Sequence, residues 1–419
     1  MHPFAAAFLA ALAAATALRL WLARRHIAHV AAHRGAVPAA FADAIALEAH
    51  QKAADYTIAK TRLAIVEALA GALLVLALTF GGGLQALADF WGGVFAPNGY
   101  AYGIALVASV AVIGGLVELP ASLYRTFVIE ARFGFNRMTL ALFLADLAKQ
   151  TVVAAALGLP LLALVLWLMA HMGSLWWLYV WIAWAAFNLL VLALYPTLIA
   201  PLFNRFSPLE DADLRRRIDA LLARTGFRAS GLFVMDGSKR SNHGNAYFTG
   251  FGAAKRIVFF DTLLERLAPP EVEAVLAHEL GHFRRRHVWK RVAWLFAASL
   301  GFLAVLGWLI DRPWFYAALG VHTPGTAMAL VLFFLVVPVF TFLLQPLASR
   351  YSRRHEYEAD AYAARHASAP DLVRALVKLY KDNAATLTPD PLHSAFYDSH
   401  PPAGLRIARL ESLAAGAAP

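Results

Sequence analysis

The segment Pro269–Ile310 reads PPEVEAVLAHELGHFRRRHVWKRVAWLFAASLGFLAVLGWLI and joins a polar helix to an apolar run. Two prolines followed by Glu271 and Glu273 are typical of a helix start. The run Val292–Ile310 is long enough to cross a bilayer, which requires about 20 largely apolar residues. We expect the polar helix to continue into this span. The sequence His278-Glu279-Leu280-Gly281-His282, which is typical of metal-binding helices, therefore lies close to a membrane.

The composition of the whole chain also indicates a membrane protein. Of its 419 residues, 60% are hydrophobic and only 15% are charged, whereas soluble domains are about 25% charged. Disordered proteins are excluded. The chain contains no cysteine, which also excludes disulfide scaffolds, iron–sulfur clusters and thiolate zinc sites. The net charge of +10 fits basic loops beside a membrane, and we expect no nucleic-acid partner.

Seven apolar runs predict seven membrane helices. The first run is unlike a signal peptide, because no basic region precedes it. Only His171–Ser174 separate the fourth run from the fifth, which predicts a tight hairpin. The predicted spans are Pro3–Leu22, Leu63–Leu84, Ala101–Leu123, Thr151–Ala170, Leu175–Leu198, Val292–Ile310 and Thr326–Ala348.

Lysine and arginine alternate between the two sides of these spans. They follow the first span at Arg24 and Arg25, are absent from Gln85–Tyr100, and return after the seventh span at Arg350. Since cytoplasmic loops are rich in these residues, we expect an external amino terminus, with the long loops and the carboxyl terminus in the cytoplasm. The alanine-rich composition favours a bacterial inner membrane.

Three carboxylates, Glu67, Glu118 and Asp146, lie within or beside predicted spans. Ionisable groups at membrane depth are functional candidates by default. They are equally compatible with ion pairs or with positions near the interface, and the sequence does not decide between these interpretations.

The motif residues His278 and His282 lie four residues apart, so both side chains project from one face of a helix and can bind a single zinc ion. Glu279 is then placed beside the metal, where it can accept a proton from water. The competing interpretation is a pair of structural histidines and a surface glutamate.

A second helix carries further candidate ligands in Glu356-Tyr357-Glu358-Ala359-Asp360. Catalytic zinc usually takes a third protein ligand. Glu356 and Asp360 share one helix face, so one can bind the metal while the other holds a ligand histidine in one tautomer. Glu358 faces elsewhere, and we expect a solvated or structural carboxylate.

Other segments add weaker signals. A predicted hairpin, Asn245–Thr249 with Arg256–Phe260 around Gly250, Gly252 and Ala253, precedes the motif helix. An extended peptide can pair with the edge of such a hairpin. His400 in Ser399-His400-Pro401-Pro402, together with Arg406, can stabilise an oxyanion. Further elements are predicted at Asp211–Thr225 (helix), Leu232–Met235 (strand) and Ser352–His366 (helix).

Together, these segments resemble the type I CAAX prenyl endopeptidases, which are integral-membrane zinc proteases. The resemblance runs from about Leu116 to Leu410. The motif HExxH alone is shared by many zinc proteases, so the ordered set carries the specificity. The segments are FVIEARFGFNRMT (Phe127–Thr139), YPTLIAPLFNRFSPL (Tyr195–Leu209), NAYFTGFGAAKRIVFFDTLL (Asn245–Leu264), HELGH, SRRHEYEADAYA (Ser352–Ala363), and SHPP with Arg406.

The resemblance implies a gluzincin-type metal site. In such a site His278, His282 and Glu356 bind one zinc ion per chain. Glu279 is the general base, and Asp360 is the carboxylate behind the ligands.

The resemblance also implies how substrate binds. Asn245 and Ala246, followed by Tyr247, match the strand that holds the substrate. His400 and Arg406 match groups near the scissile carbonyl. Asp398 stands where an aromatic residue is expected, so the finer substrate contacts differ from the family pattern.

The implied fold is mainly α, with seven helices around an intramembrane chamber and a small cytoplasmic α+β zinc-peptidase portion. The expected divisions are membrane helices 1–5 in residues 1–200, the peptidase segment in 201–291, helices 6–7 in 292–348, and a cytoplasmic C-terminal segment in 349–419. We expect a monomer in the lipid bilayer that cleaves a peptide or protein, prenylated or not.

Three other functions compete with this interpretation. A stress-linked quality-control protease shares HExxH but usually has fewer spans. A site-2 type protease has its zinc helix inside the membrane, whereas here a polar segment precedes His278. A zinc-binding transporter would not need Glu279 between its ligands.

Overall fold

The predicted spans are helices in the computed structural model of the chain, which describes residues 1–249 and 256–415. Among these residues, seven helices are long and apolar enough to cross a membrane, which confirms the predicted number and order. The helices are α1 (Pro3–Ala32), α2 (Leu47–Leu78), α3 (Gly83–Gly92), α4 (Tyr100–Tyr124), α5 (Leu140–His171), α6 (Trp176–Leu194), α7 (Ala212–Thr225), α8 (Asp261–Leu264), α9 (Pro269–Arg284), α10 (His287–Leu309), α11 (Pro313–Ala317), α12 (Thr326–Thr341), α13 (Gln345–His366), α14 (Ala369–Asp382), α15 (Pro391–Tyr397) and α16 (Ala403–Ala415). The membrane spans are α1, α2, α4, α5, α6, α10 and the consecutive pair α12 and α13.

Helix α12 lies at the centre of the membrane bundle, where it contacts α1, α4, α5 and α10. Its residues Ala327–Phe333 are all buried, because this helix is apolar on every side. The other spans expose apolar side chains such as Val152 and Leu73, as expected for helices that face lipid. The bundle therefore has an apolar core of its own.

A cavity of about 900 Å³ lies among the membrane helices, and one of about 720 Å³ lies between these helices and the sheet that carries Tyr247. Glu118 lines both of them. Glu67 forms an ion pair with Arg125. Asp146 accepts hydrogen bonds of 2.7 and 3.0 Å from Arg240. Two of the three carboxylates are thus ion-paired, and the cavities agree with an intramembrane chamber.

The motif helix does not continue into the sixth span, and this expectation was wrong. Helix α9 ends at Arg284, and α10 begins at His287. Arg286 between them adopts left-handed backbone with φ 56°, a conformation that interrupts a right-handed helix. The chain therefore turns a corner between the motif and the membrane helix.

A four-stranded sheet lies beside α9, with strand order β1 (Phe206–Pro208), β2 (Gly231–Met235), β4 (Arg256–Phe260), β3 (Ala246–Thr249). The predicted hairpin is confirmed as an antiparallel pair of β3 and β4. Its predicted turn around Gly250, Gly252 and Ala253 lies outside the described residues. Strand β3 lies at one edge of the sheet and β1 at the other.

The predicted helices outside the membrane spans are present with shifted bounds. Asp211 caps α7 by accepting hydrogen bonds from the amides of Asp213 and Leu214. Helix α13 begins at Gln345, earlier than the predicted Ser352, because one tight turn, Phe342–Leu344, joins it directly to α12. The helix that carries Glu356 therefore extends the last membrane helix.

Candidate active site

Helices α9 and α13 cross closely at Gly281, in the middle of the motif. A Cβ atom at this position would lie 2.9 Å from the Cα atom of Ala359 on α13. Only glycine allows so close an approach of the two backbones. The crossing brings the histidines of α9 opposite Glu356 of α13. Sequence reasoning did not identify this role, although the glycine within HELGH was its signal.

The three predicted zinc ligands converge at the crossing. The Nε2 atoms of His278 and His282 lie 3.2 Å apart. Glu356 places Oε2 3.5 Å from Nε2 of His278 and Oε1 3.4 Å from Nε2 of His282. One ligand atom from each residue lies within 4.8 Å of the others. Two nitrogens and one carboxylate oxygen form a donor set that suits zinc and leaves a position open.

Several features of these groups favour a bound cation. Oε2 of Glu356 is buried without a hydrogen-bond partner among the described residues. Burial opposes a charge on His278, yet the neighbouring carboxylates of Asp360 and Glu356 raise the pKa of this imidazole to about 9. Burial lowers the pKa of His282 to about 3, so this side chain is neutral. The cluster therefore attracts positive charge, and neutral His282 and the carboxylate of Glu356 offer lone pairs to a cation.

Behind His278 lies a buried ion pair. The Nδ1 atom of His278 lies 2.8 Å from Oδ1 of Asp360. Arg406 donates two hydrogen bonds of 2.7 Å to Asp360, and Tyr380 of α14 contacts the same guanidinium. Asp360 therefore occupies the place expected of the carboxylate that holds a ligand histidine. Tyr380 was not foreseen, because it lies in an ordinary amphipathic helix.

The partners of His282 differ from those of His278. Its Nδ1 atom lies 2.9 Å from Nδ1 of His287, the first residue of α10. The Nε2 atom of His287 in turn lies 3.1 Å from Oε2 of Glu358. Sequence reasoning placed Glu358 away from the metal, which agrees with this geometry, but it did not identify His287.

Glu279 is half-buried beside the ligands. Burial raises the pKa of its carboxyl above the ordinary value for glutamate, and the negative charge of Glu356 adds to this effect. A carboxylate with a raised pKa accepts protons more readily, as a general base requires.

The two residues expected near the scissile carbonyl occupy different positions. His400 lies at the open side, with Nε2 3.3 Å from Oε2 of Glu356 and with 60% of its side chain exposed. Arg406 is only 5% exposed and is directed toward Asp360. The oxyanion role expected of Arg406 stays a prediction, and its contacts show that it holds Asp360.

The expected substrate strand lies next to the motif helix. Strand β3 contacts α9 and has β4 on its inner side. Asn245 precedes it and is exposed, whereas Ala246 is buried in the core of the peptidase portion. Tyr247 lines the cavity of about 720 Å³. The outer edge of β3 is therefore the part available for an extended peptide.

Comparison with known proteins agrees with this geometry. The profile described as "CAAX prenyl protease N-terminal, five membrane helices" matches residues 26–205, and that of "Peptidase family M48" matches residues 208–414. CAAX prenyl protease 1 homolog of Arabidopsis thaliana is 34% identical over 90% of this chain and 90% of its own. CAAX prenyl protease 1 of Saccharomyces cerevisiae is 35% identical over 74% of this chain and 72% of its own.

The fold agrees as well. The crystal structure of S. mikatae Ste24p superposes with a TM-score of 0.89 at 30% sequence identity, covering 98% of this chain and 99% of that chain. Family profiles and relatives thus extend over both the membrane helices and the peptidase portion. The chain belongs to the M48 peptidase family, in its CAAX prenyl protease branch, and is an integral-membrane zinc metalloendopeptidase.

Proposed function

We propose that this enzyme removes the C-terminal tripeptide of prenylated CAAX proteins, with one zinc ion held by His278, His282 and Glu356. The convergence of these three ligands within 4.8 Å carries the proposal. The names of the relatives, CAAX prenyl protease 1 and its homologs, support the substrate class.

The residues of the site have distinct roles in peptide hydrolysis. When bound, zinc supplies Lewis-acid polarisation of the scissile carbonyl and of the attacking water. Glu279 takes a proton from that water and delivers it to the leaving amine. His400 donates a hydrogen bond to the developing oxyanion, and Arg406 contributes positive charge while it holds Asp360.

The outer edge of β3 and the cavity of about 900 Å³ together suggest how a prenylated peptide binds. The peptide pairs with the outer edge of β3 through main-chain hydrogen bonds, so it is held without strict dependence on its side chains. Asn245, Ala246 and Tyr247 mark this edge. The cavity of about 900 Å³ is lined by apolar side chains such as Leu63 and Val66 and by charged ones such as Glu118. Its apolar part would receive the isoprenyl chain.

The membrane, the orientation and the oligomeric state of the enzyme are also part of the proposal. The pattern of basic loops supports an external amino terminus and a cytoplasmic active site. The four divisions of the chain expected above follow from that topology. Composition alone supports a bacterial inner membrane, and the relatives named above are eukaryotic. We propose a monomer, since a single chain supplies every group of the site.

Cleavage of one CAAX peptide, with and without a farnesyl group, tests the function. We expect the purified enzyme to cleave the farnesylated peptide before its last three residues. Chelation of zinc should abolish cleavage, and stoichiometric zinc should restore it. The Glu279→Gln variant serves as a matched inactive control.

Other outcomes would point to other functions. Equal cleavage of both peptides would remove the lipid from the proposal and favour a quality-control protease. No cleavage of either peptide by protein that holds one zinc per chain would contradict the CAAX assignment and leave another substrate or a zinc-binding transporter.

A further inference from the structure

The corner between α9 and α10 forms a hydrogen-bonded chain behind one metal ligand. In a continuous helix, residues five apart project in different directions, so His287 would not face His282. The left-handed Arg286 changes the path of the chain, and the two Nδ1 atoms come within 2.9 Å. His287 is 1% exposed, although it is the first residue of a membrane helix.

The geometry assigns one proton arrangement to this chain. The Nε2 atom of His282 is directed toward the other ligands, 3.4 Å from Glu356, so it must offer a lone pair to a metal. Its proton then lies on Nδ1 and is donated to Nδ1 of His287. The proton of His287 lies on its Nε2, which donates to Glu358 at 3.1 Å.

We propose that His287 is a positioning residue, which holds His282 as a zinc ligand through a chain that ends at Glu358. The inference rests on the proposed zinc site. Outer partners of this kind fix the ring orientation of a ligand histidine and raise its basicity. Here the carboxylate acts through a second imidazole, whereas Asp360 contacts His278 directly.

The position of His287 is fixed by packing as well as by hydrogen bonds. Its ring stacks on that of His355 with centroids 3.9 Å apart and planes 9° apart. His355 is 2% exposed. A phenylalanine at position 287 can keep this stacking but cannot accept the proton of His282. Packing and hydrogen bonding can therefore be separated experimentally.

Zinc affinity of the full-length enzyme in detergent, measured by competition with a chromophoric chelator, tests the inference. We expect His287→Phe to weaken zinc binding by about ten- to a hundredfold. His287→Asn keeps an acceptor near the position of Nδ1 and should recover most of the affinity. His355→Phe, the same exchange one ring away, should bind zinc like the parent enzyme.

Cobalt substitution provides a second readout. If His287 orients His282, the visible absorption of the Co²⁺ enzyme should change in His287→Phe and return toward the parent spectrum in His287→Asn. Parent-like affinity and spectrum in His287→Phe would overturn the proposal. Equal losses in His287→Phe and His287→Asn, or in His355→Phe, would overturn it too, because packing would then explain them.

Two further variants keep the test informative. If His287→Phe fails to fold, Glu358→Gln provides the test, because it keeps an acceptor for His287 but removes the charge. This variant should still weaken zinc binding. Parent-like zinc affinity would contradict the proposed link from Glu358 through His287 to His282. His278→Ala addresses the underlying site. Zinc retained in that variant would refute the ligand set itself, independently of His287.

Discussion

The two histidines of the motif bind from one helix face, but they are supported by different parts of the molecule. His278 is held by the core of the peptidase portion, through a buried Asp360 that Arg406 neutralises. His282 is held by the start of a membrane helix, through His287 and a partly exposed Glu358. Asp360 contacts its histidine directly, whereas Glu358 acts through a second imidazole. The site therefore depends on both the peptidase portion and the membrane bundle.

The largest expected effect is the same for both histidines, whatever supports them. His278→Ala and His282→Ala should each abolish stoichiometric zinc binding and all peptidase activity, because either change leaves two ligands. Metal analysis of the purified variants measures this. A variant that keeps one zinc per chain would show that its histidine is not a ligand.

Glu279→Gln should separate chemistry from metal binding. We expect the variant to retain zinc while kcat falls by about 10²–10⁴-fold, the usual contribution of a general base. Metal content and kcat measured on the same preparation provide the test. Full activity would exclude the role assigned to this glutamate.

His400→Ala should lower kcat by about 10²–10³-fold, as expected for one oxyanion donor. Zinc content should not change, because the imidazole lies at the open side of Glu356 and is not among the proposed ligands. Steady-state kinetics on the CAAX peptide measure the loss. An effect confined to KM would indicate substrate binding instead.

The smallest expected effect tests most directly the difference between the supports of His278 and His282. Asp360→Asn should weaken zinc binding by about ten- to a hundredfold, and Glu358→Gln by less. Asp360 is buried and contacts its histidine directly, whereas the side chain of Glu358 is 29% exposed and acts through another ring. Parallel zinc titrations decide the order, and a larger effect at Glu358 would reverse the ranking.

Most of the site could be predicted from the sequence, because helical spacing is local information. The spacing of His278 and His282, and that of Glu356 and Asp360, already placed each pair on one helix face. The choice of Glu356 as ligand came from the family resemblance. The seven membrane spans could also be predicted from the sequence, since the length of an apolar run and the charge of a loop are properties of short segments.

The support behind His282 could not be predicted in this way. No glycine or proline marks the corner at Arg284–Arg286, so the sequence favoured a continuous helix. In that arrangement His287 and His282 lie on different faces. Similarly, the close crossing at Gly281 depends on Ala359, which is distant in sequence. Both features result from tertiary packing.

The site combines residues that are far apart in the chain. Arg406 follows Asp360 by 46 positions and His278 by 128. His400 and Arg406 also follow the last membrane helix in the sequence. Since the chain is synthesised from its amino terminus, these groups emerge from the ribosome only after all seven spans. The order of synthesis therefore delays completion of the active site until the membrane helices are available to assemble around it.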